Sequence, residues 1–380
     1  VLYKENGFKK KEDAQKLICE LSTQQPLICT VEKIERKKEN KNPPLLFNLA
    51  ELQNVCSKLF KISPDETLSI VQDLYEKKLV TYPRTDARVL STAVAKEIYK
   101  NISGLRNYPQ AGEAAQGALE LGAYKNIAKT RYTNDKQITD HYAIIPTGQG
   151  LGALKGLSLT AQRVYETIVR RFLSIFYPPA VYQKVSLVTK MENESFFSSF
   201  KVLLSEGYLK IAANSFAKKS MAEVSGKTPE SEGEGEVSCD EALLAALQKL
   251  KKGDILNING LGIKEGETSP PKRYNSGSMI LAMENAGQLI EDEDLRSQIK
   301  GSGIGTSATR AEILKKLFNI RYLSLNKKTQ VITPTLQGEM IYDVVNCSIR
   351  QLLNPELTAS WEKGLTYVAE GSITEQEYMD

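Results

Sequence analysis

Residues Thr81–Asp86 read TYPRTD. In an extended segment side chains alternate, so Tyr82, Arg84 and Asp86 share one face while Pro83 and Thr85 point away. A phenol and a guanidinium become neighbours. Pro83 cannot donate a ladder hydrogen bond, which places the stretch at a sheet edge or strand end open to a ligand. Arginine presents a planar fork suited to phosphate and keeps its charge. The chemistry this permits is attack of Tyr82 on a phosphodiester to give a covalent phosphotyrosine, with Arg84 holding the phosphate and stabilising transition-state charge. A phenol ionises only near pH ~10, so such a nucleophile needs a nearby positive charge or base. The blander reading stays open, because 17 Tyr are present and any of them can pack in a core or at its rim.

His141 is the sole histidine and lies in ITDHYAIIPT, Ile138–Thr147. An imidazole there suits orienting a phosphate or shuttling a proton, with Asp86 as a partner to fix its tautomer. It serves equally as hydrogen-bonded structure. One histidine cannot build a multi-histidine metal site. A tyrosine recombinase would also use Tyr and Arg, but Ile144 stands where a His-x-x-Arg pair would need arginine. A third segment, GSGIGTSATRAEI at Gly301–Ile313, runs alternate glycines into Thr306, Ser307 and Thr309 at a helix start. Free N–H groups and hydroxyls there suit a phosphate oxygen, or simply cap the helix. No Walker-type lysine follows, which argues against nucleoside triphosphate binding. The acidic run Glu291–Asp294 lacks a D-x-D-x-E array, and no metal site is assigned. Lys272 and Arg273, beside Tyr274 in ETSPPKRY, read as a backbone contact or as plain linker.

Several elements must position these groups. Helical spacing over 12–21 and alternation over 27–35 predict a helix feeding a sheet. Leu49, Leu52, Cys56, Leu59 and Phe60 form one face of a further helix. The next is signed by Ser63 as N-cap, Pro64 at the first position and Glu66 in a capping box, with Leu68, Val71, Leu74 and Tyr75 as its buried stripe. Leu79–Tyr82 then reads as a strand, so helix, turn, helix and strand resemble a winged helix-turn-helix unit. Helices follow at Ala93–Tyr99 and Ser158–Ile175. Strands are expected in YQKVSLVTKM, SFFSSFKVLL and around Ile255–Ile263, with a solvated acidic loop at 223–236. Helices return at Ser278–Leu289, Ser307–Phe318 and Pro334–Asn346. The order β, α, β, α suggests that the first α block is inserted in one β domain.

The 380 residues fit two or three domains. A hydrophobic share of 41% excludes a wholly disordered chain, and the apolar runs fall far short of the ~20 residues that span a bilayer. No membrane association and no secretion signal is read. The 5 Cys form no CxxC pair, which favours a reducing, cytoplasmic setting. Lys+Arg 50 against Asp+Glu 46 gives +4, which permits a polyanionic partner without demanding one. Val1 opens in mid-pattern and Thr374–Asp380 reads as a helix cut short, so an excised fragment is expected.

Together, PPLLFNLAELQ (43–53), KKLVTYPRTDARVLS (77–91), TDHYAIIPT (139–147), PPKRY (270–274), GIGTSATRAEI (303–313) and LTASWEKGL (357–365) resemble the type IA DNA topoisomerases, most closely the topoisomerase III branch. The resemblance covers nearly the whole chain. It implies an α+β multidomain, toroidal core: 1–43 and 181–270 as a β arch, 44–180 as a winged-helix-like domain carrying the active-site tyrosine, and 271–380 as a helical strand-binding domain. It implies Tyr82, Arg84 and His141 as catalytic residues, with Asp86 and Thr85 supporting. Thr309, Thr306, Lys272, Arg273 and Gln53 would contact DNA. Tyr82 would take the 5′ phosphate of a broken single strand, with no ATP required. The family's magnesium ligands lie on a toprim domain not seen in this sequence, so no bound metal is expected here. Single-stranded DNA binding without relaxation of supercoils is expected of the fragment alone, which would need the toprim domain in cis. A monomer is expected, working with a helicase and, in a bacterium, at the nucleoid. The competing reading is a non-catalytic single-stranded DNA-binding or scaffold module. Two departures from the family pattern are that NSGSM follows PPKRY and that Ser307 stands where proline is common.

Overall fold

The computed structural model describes residues 7–23, 26–216, 237–238, 241–267, 269–286 and 303–379. The acidic loop 223–236 and the Glu291–Asp294 run lie outside the described residues, as do Gly301 and Ser302. The chain divides into two compact units, one made of 1–43 with 177–270 and the other of 44–176 with 271–380. The second crossing falls at Phe176/Tyr177, just ahead of Pro178 and Pro179, a few residues before the expected 180.

The first unit is built on a five-stranded sheet of order β4-β3-β2-β1-β5. Its strands are β1 (Ile28–Lys41), β2 (Ala180–Met191), β3 (Glu194–Ser205), β4 (Val237–Ser238) and β5 (Ile255–Asn257). β1 and β2 run antiparallel from Thr30↔Lys190 to Lys41↔Ala180, so strands about 150 residues apart in sequence are zipped along most of their length. β2 buries opposite faces at its two ends. Val185 and Leu187 pack with Val31 and Leu247, whereas Ala180 and Tyr182 pack with Tyr208. A register shift between Val181 and Tyr182, in the pairing with β3, lies within that second stretch. Arg36 donates to the carbonyls of Leu247 (2.7 Å) and Leu250 (2.5 Å) at the end of the Glu241–Lys249 helix, where a cation meets the negative end of the helix dipole.

The second unit is mainly helical. Asn48 caps the Leu49–Phe60 helix by accepting the Glu51 N–H at 2.9 Å, and Lys61 ends it in the left-handed conformation (φ 58). The Pro64–Glu76 helix starts at the expected position, with the Ser63 hydroxyl accepting the Glu66 N–H at 3.1 Å but without the reciprocal Glu66 bond that a capping box requires. Leu68, Val71 and Leu74 are buried on its inner face, each contributing about 1.5–3 kcal/mol of transfer free energy. The Leu49–Phe60 helix departs from expectation. Leu59 is 49% exposed, while Gln53 and Asn54 are buried. The burial of Asn54 has a non-local cause, because the Ser276–Glu284 helix covers the face it shares with Ala50 and Ser57. Ser57 and Ser276 share a hydroxyl hydrogen bond at 3.0 Å, and a Cβ at Gly277 would lie 2.6 Å from the Asn54 Cα. Ala50, Ile280, Met283 and Leu314 form the core of this contact. Lys315 of the Arg310–Asn319 helix pairs with Asp65 at 3.0 Å.

The strand expected at Leu79–Tyr82 is reduced to single bridges, Val80↔Pro146 and, nearby, Phe47↔Ile144. Thr81 uses its hydroxyl as well as its backbone, and Pro83 has no N–H to extend a ladder. The helix expected from Ser307 begins at Arg310. Strand structure near Ile255 stops at Asn257. A two-stranded hairpin, β6 (Leu323–Leu325) and β7 (Ile332–Pro334), lay outside the sequence reading. Among the described residues no helix is long and apolar enough to cross a membrane.

Candidate active site

Two segments are laced together to carry the candidate chemistry. The Thr81 N–H donates to the Ile145 carbonyl at 3.0 Å. Its hydroxyl donates to the Ala143 carbonyl and accepts the Ile145 N–H, both at 3.0 Å. The Thr147 N–H donates to the Leu79 carbonyl at 3.0 Å, and Ala143 N–H to Val89 at 3.0 Å. Thr85 is buried, and its hydroxyl donates to the His141 carbonyl at 2.7 Å. Each bond satisfies a backbone group that a missing sheet would otherwise leave unpaired. Although no ladder forms, the alternation survives: Pro83, Thr85 and Ala87 point inward, Arg84 and Asp86 are exposed, and Tyr82 is half-buried.

The Tyr82 ring lies against two aromatic rings. The exposed His141 ring is 4.4 Å away between centroids, tilted by 46°. Tyr75, at the end of the Pro64–Glu76 helix, meets it edge-on at 5.5 Å and 81°. Tyr75 was read only as part of a core stripe, yet it is 39% exposed. A phenol beside an imidazole, with a guanidinium two residues along an exposed edge, can approach a phosphodiester from solvent.

Asp86 does not serve His141 in the way expected. Its carboxylate accepts from the Arg310 guanidinium at 3.0 Å. Arg310 is only 3% exposed and also donates to the Ile304 carbonyl at 3.3 Å. Beside this pair the Asn48 amide donates to the Asp86 carbonyl (3.1 Å) and to Glu284 Oε1 (2.6 Å). Burial raises the Glu284 pKa from its ordinary value; Arg310 counters this, Asp86 adds to it, and the Asn48 bond and Arg88 also counter it. Asn48, Glu284 and Arg310 were not singled out from sequence. Arg310 sits inside the GTSATRAEI segment, which was read for its hydroxyls, and nothing local marks its partner 224 residues away.

The glycine-rich turn is built on backbone proximity. A Cβ at Gly303 would lie 2.2 Å from the Met283 carbonyl oxygen, and Gly305 has φ +68. The Ile304 N–H donates to that Met283 carbonyl at 2.8 Å. Thr306 and Thr309 are exposed, with hydroxyls 3.1 Å apart, and Thr309 Oγ1 accepts the Thr306 N–H at 2.9 Å. Thr309 thus organises the turn and makes no side-chain cap to the following helix. Lys272 and Arg273 are exposed. Gln53 is 1% exposed and donates its amide to the Pro64 carbonyl at 2.9 Å, so it faces the core in this conformation and not a ligand. Among the described residues no group of three or more His, Cys, Asp or Glu side chains could hold a metal ion.

A family model described as DNA topoisomerase matches residues 2–380. The chain belongs to the DNA topoisomerase family. Its relatives place it in the type IA, topoisomerase III-like branch. DNA topoisomerase 3 of Bacillus licheniformis is 34% identical over 340 residues, covering 88% of this chain and 43% of the relative. That of Bacillus subtilis is 33% identical over 362 residues, covering 94% and 46%. The fold is similar to full-length topoisomerase I from Thermotoga maritima, with a TM-score of 0.65 at 22% identity over 99% of this chain and 54% of that one. The chain therefore spans less than half the length of the curated relatives it matches.

Proposed function

We propose that this chain carries the tyrosine-bearing core of a type IA DNA topoisomerase. The Tyr82 oxygen attacks a backbone phosphorus of single-stranded DNA, forming a 5′ phosphotyrosine bond as the bond to the neighbouring 3′ oxygen breaks. The phenol proton is transferred and the departing 3′ oxygen is protonated. Reversal reseals the strand. One phosphodiester replaces another, so no ATP is consumed. Arg84 holds the phosphate and stabilises its transition-state charge, and His141 orients it or relays the proton. Thr85 fixes the His141 segment, and Thr306, Thr309, Lys272 and Arg273 contact the strand. The observation that carries this reading is the Tyr82–His141 ring contact on an exposed edge that also presents Arg84.

The family reading adds strand passage through a toroidal type IA core, carried out by a monomer that works beside a helicase. Magnesium is the ion the family reading implies, held by a toprim domain. The described residues offer no cluster of His, Cys, Asp or Glu to hold it.

The test is denaturing-gel detection of an adduct between a labelled single-stranded oligonucleotide and the chain, with magnesium, with and without a separately expressed toprim domain. An adduct that requires both Tyr82 and the added domain is expected, and Tyr82→Phe should form none while retaining oligonucleotide binding. Salt-sensitive binding without any adduct from a demonstrably assembled complex would instead support a non-catalytic single-strand-binding module.

A further inference from the structure

Arg310 occupies an unusual place for a charged side chain. It is 3% exposed, yet it lies on the first turn of a helix whose next residues, Ala311 and Leu314, are ordinary core. Burying a guanidinium costs stability unless every partner is well placed, and an apolar residue of similar volume usually fills such an enclosure at lower cost. The partners here come from two different segments. One N–H of the fork reaches the Asp86 carboxylate at 3.0 Å, four residues after Tyr82. Another reaches the Ile304 carbonyl at 3.3 Å, two residues before Thr306. The Asn48 amide donates to the Asp86 carbonyl at 3.1 Å, and the hydroxyl of the adjoining Thr85 donates to the His141 carbonyl at 2.7 Å.

Resting on the reading of Tyr82 as nucleophile, we propose that Arg310 is a positioning residue for phosphoryl transfer: by holding Asp86 and the Ile304 carbonyl on one rigid guanidinium, it keeps the Thr306–Thr309 hydroxyl pair in fixed register with the loop that carries Tyr82. A strand held by the hydroxyl turn then presents its scissile phosphate to Arg84 and the Tyr82 phenol. Lysine cannot substitute, because a single ammonium on a flexible stem does not reproduce a planar fork bridging two acceptors. Misplacement on the order of 1 Å between nucleophile and phosphate can cost up to about a hundredfold in rate while leaving ground-state binding little changed.

The test uses the chain with the separately expressed toprim domain and magnesium, and measures oligonucleotide Kd and the adduct-forming rate at saturating oligonucleotide separately. Arg310→Lys and Asp86→Asn are compared with the parent and with Tyr82→Phe. Asp86→Asn keeps shape at a half-exposed carboxylate, so it separates positioning from failure to fold. Each variant is expected to slow the saturated rate by about tenfold or more with Kd within about threefold, and the double variant to be no slower than the slower single one. A merely structural role would lower the thermal midpoint and weaken binding along with rate. Rates of both single variants within about twofold of the parent, with the Tyr82-dependent adduct intact, would overturn the proposal alone. A parent that forms no adduct overturns the reading of Tyr82, and this proposal with it.

Discussion

Gly277 sits where the Ser276–Glu284 helix approaches the Leu49–Phe60 helix, and Gly277→Ala puts that approach to the test. A Cβ there would lie 2.6 Å from the Asn54 Cα, 3.0 Å from the Ser57 Cβ and 3.2 Å from the Asn54 carbonyl oxygen. Two effects compete. Alanine is favoured over glycine inside a helix by about 1 kcal/mol. Overpacking costs about 1–3 kcal/mol, and the upper part of that range applies because the nearest atoms belong to backbone and cannot rotate away. The net expectation is a loss of about 1–2 kcal/mol, which for a unit of this size lowers the thermal midpoint by about 2–8 °C. The same separation pulls Glu284 from Asn48 and loosens the enclosure of Arg310, so adduct formation should slow as well. The control is Gly152→Ala, where nothing lies within 4 Å, and it should stay within about 0.5 kcal/mol of the parent. Calorimetry or circular dichroism melting reads both. A Gly277→Ala protein that melts as high as the Gly152→Ala control would refute the close helix contact and the reasoning built on it.

Glu284→Gln should raise stability at pH 8. Because burial raises the Glu284 pKa above that of an ordinary glutamate, the folded state favours the neutral form. The stabilisation from that neutral form is therefore fully present below the unfolded pKa and is lost as pH rises through the folded one. Glutamine removes the loss, so its advantage in melting temperature should be largest at pH 8 and vanish by about pH 4. Equal advantage across that range would refute burial as the cause. Arg84→Ala should weaken single-stranded oligonucleotide binding and make the slope of log K against log salt shallower by about 0.7, the loss of one phosphate contact; an unchanged slope in fluorescence anisotropy titrations would remove Arg84 from the phosphate.

Short-range physics was legible in the residues themselves. Ser63 and Pro64 start their helix as capping chemistry requires, because the donor and acceptor lie three residues apart. The alternation of Tyr82, Arg84 and Asp86 against Pro83 and Thr85 follows from backbone geometry alone, and it holds without a sheet. YPRTD with GIGTSATRA also carried the family, later matched over residues 2–380. Periodicity failed where a second element arrived from far along the chain. Asn54 and Ser57 are buried beneath the Ser276–Glu284 helix, which nothing near them in sequence announces. The tertiary structure alone decided that Asp86 pairs with Arg310 and not with His141, and that Asn48 meets Glu284. Those partners are 224 and 236 residues apart, and only packing of the helical unit brings them within hydrogen-bonding distance. Residue types and local spacing thus determined which groups can do chemistry, while the burial of distant helices against one another determined which of those groups hold each other in place.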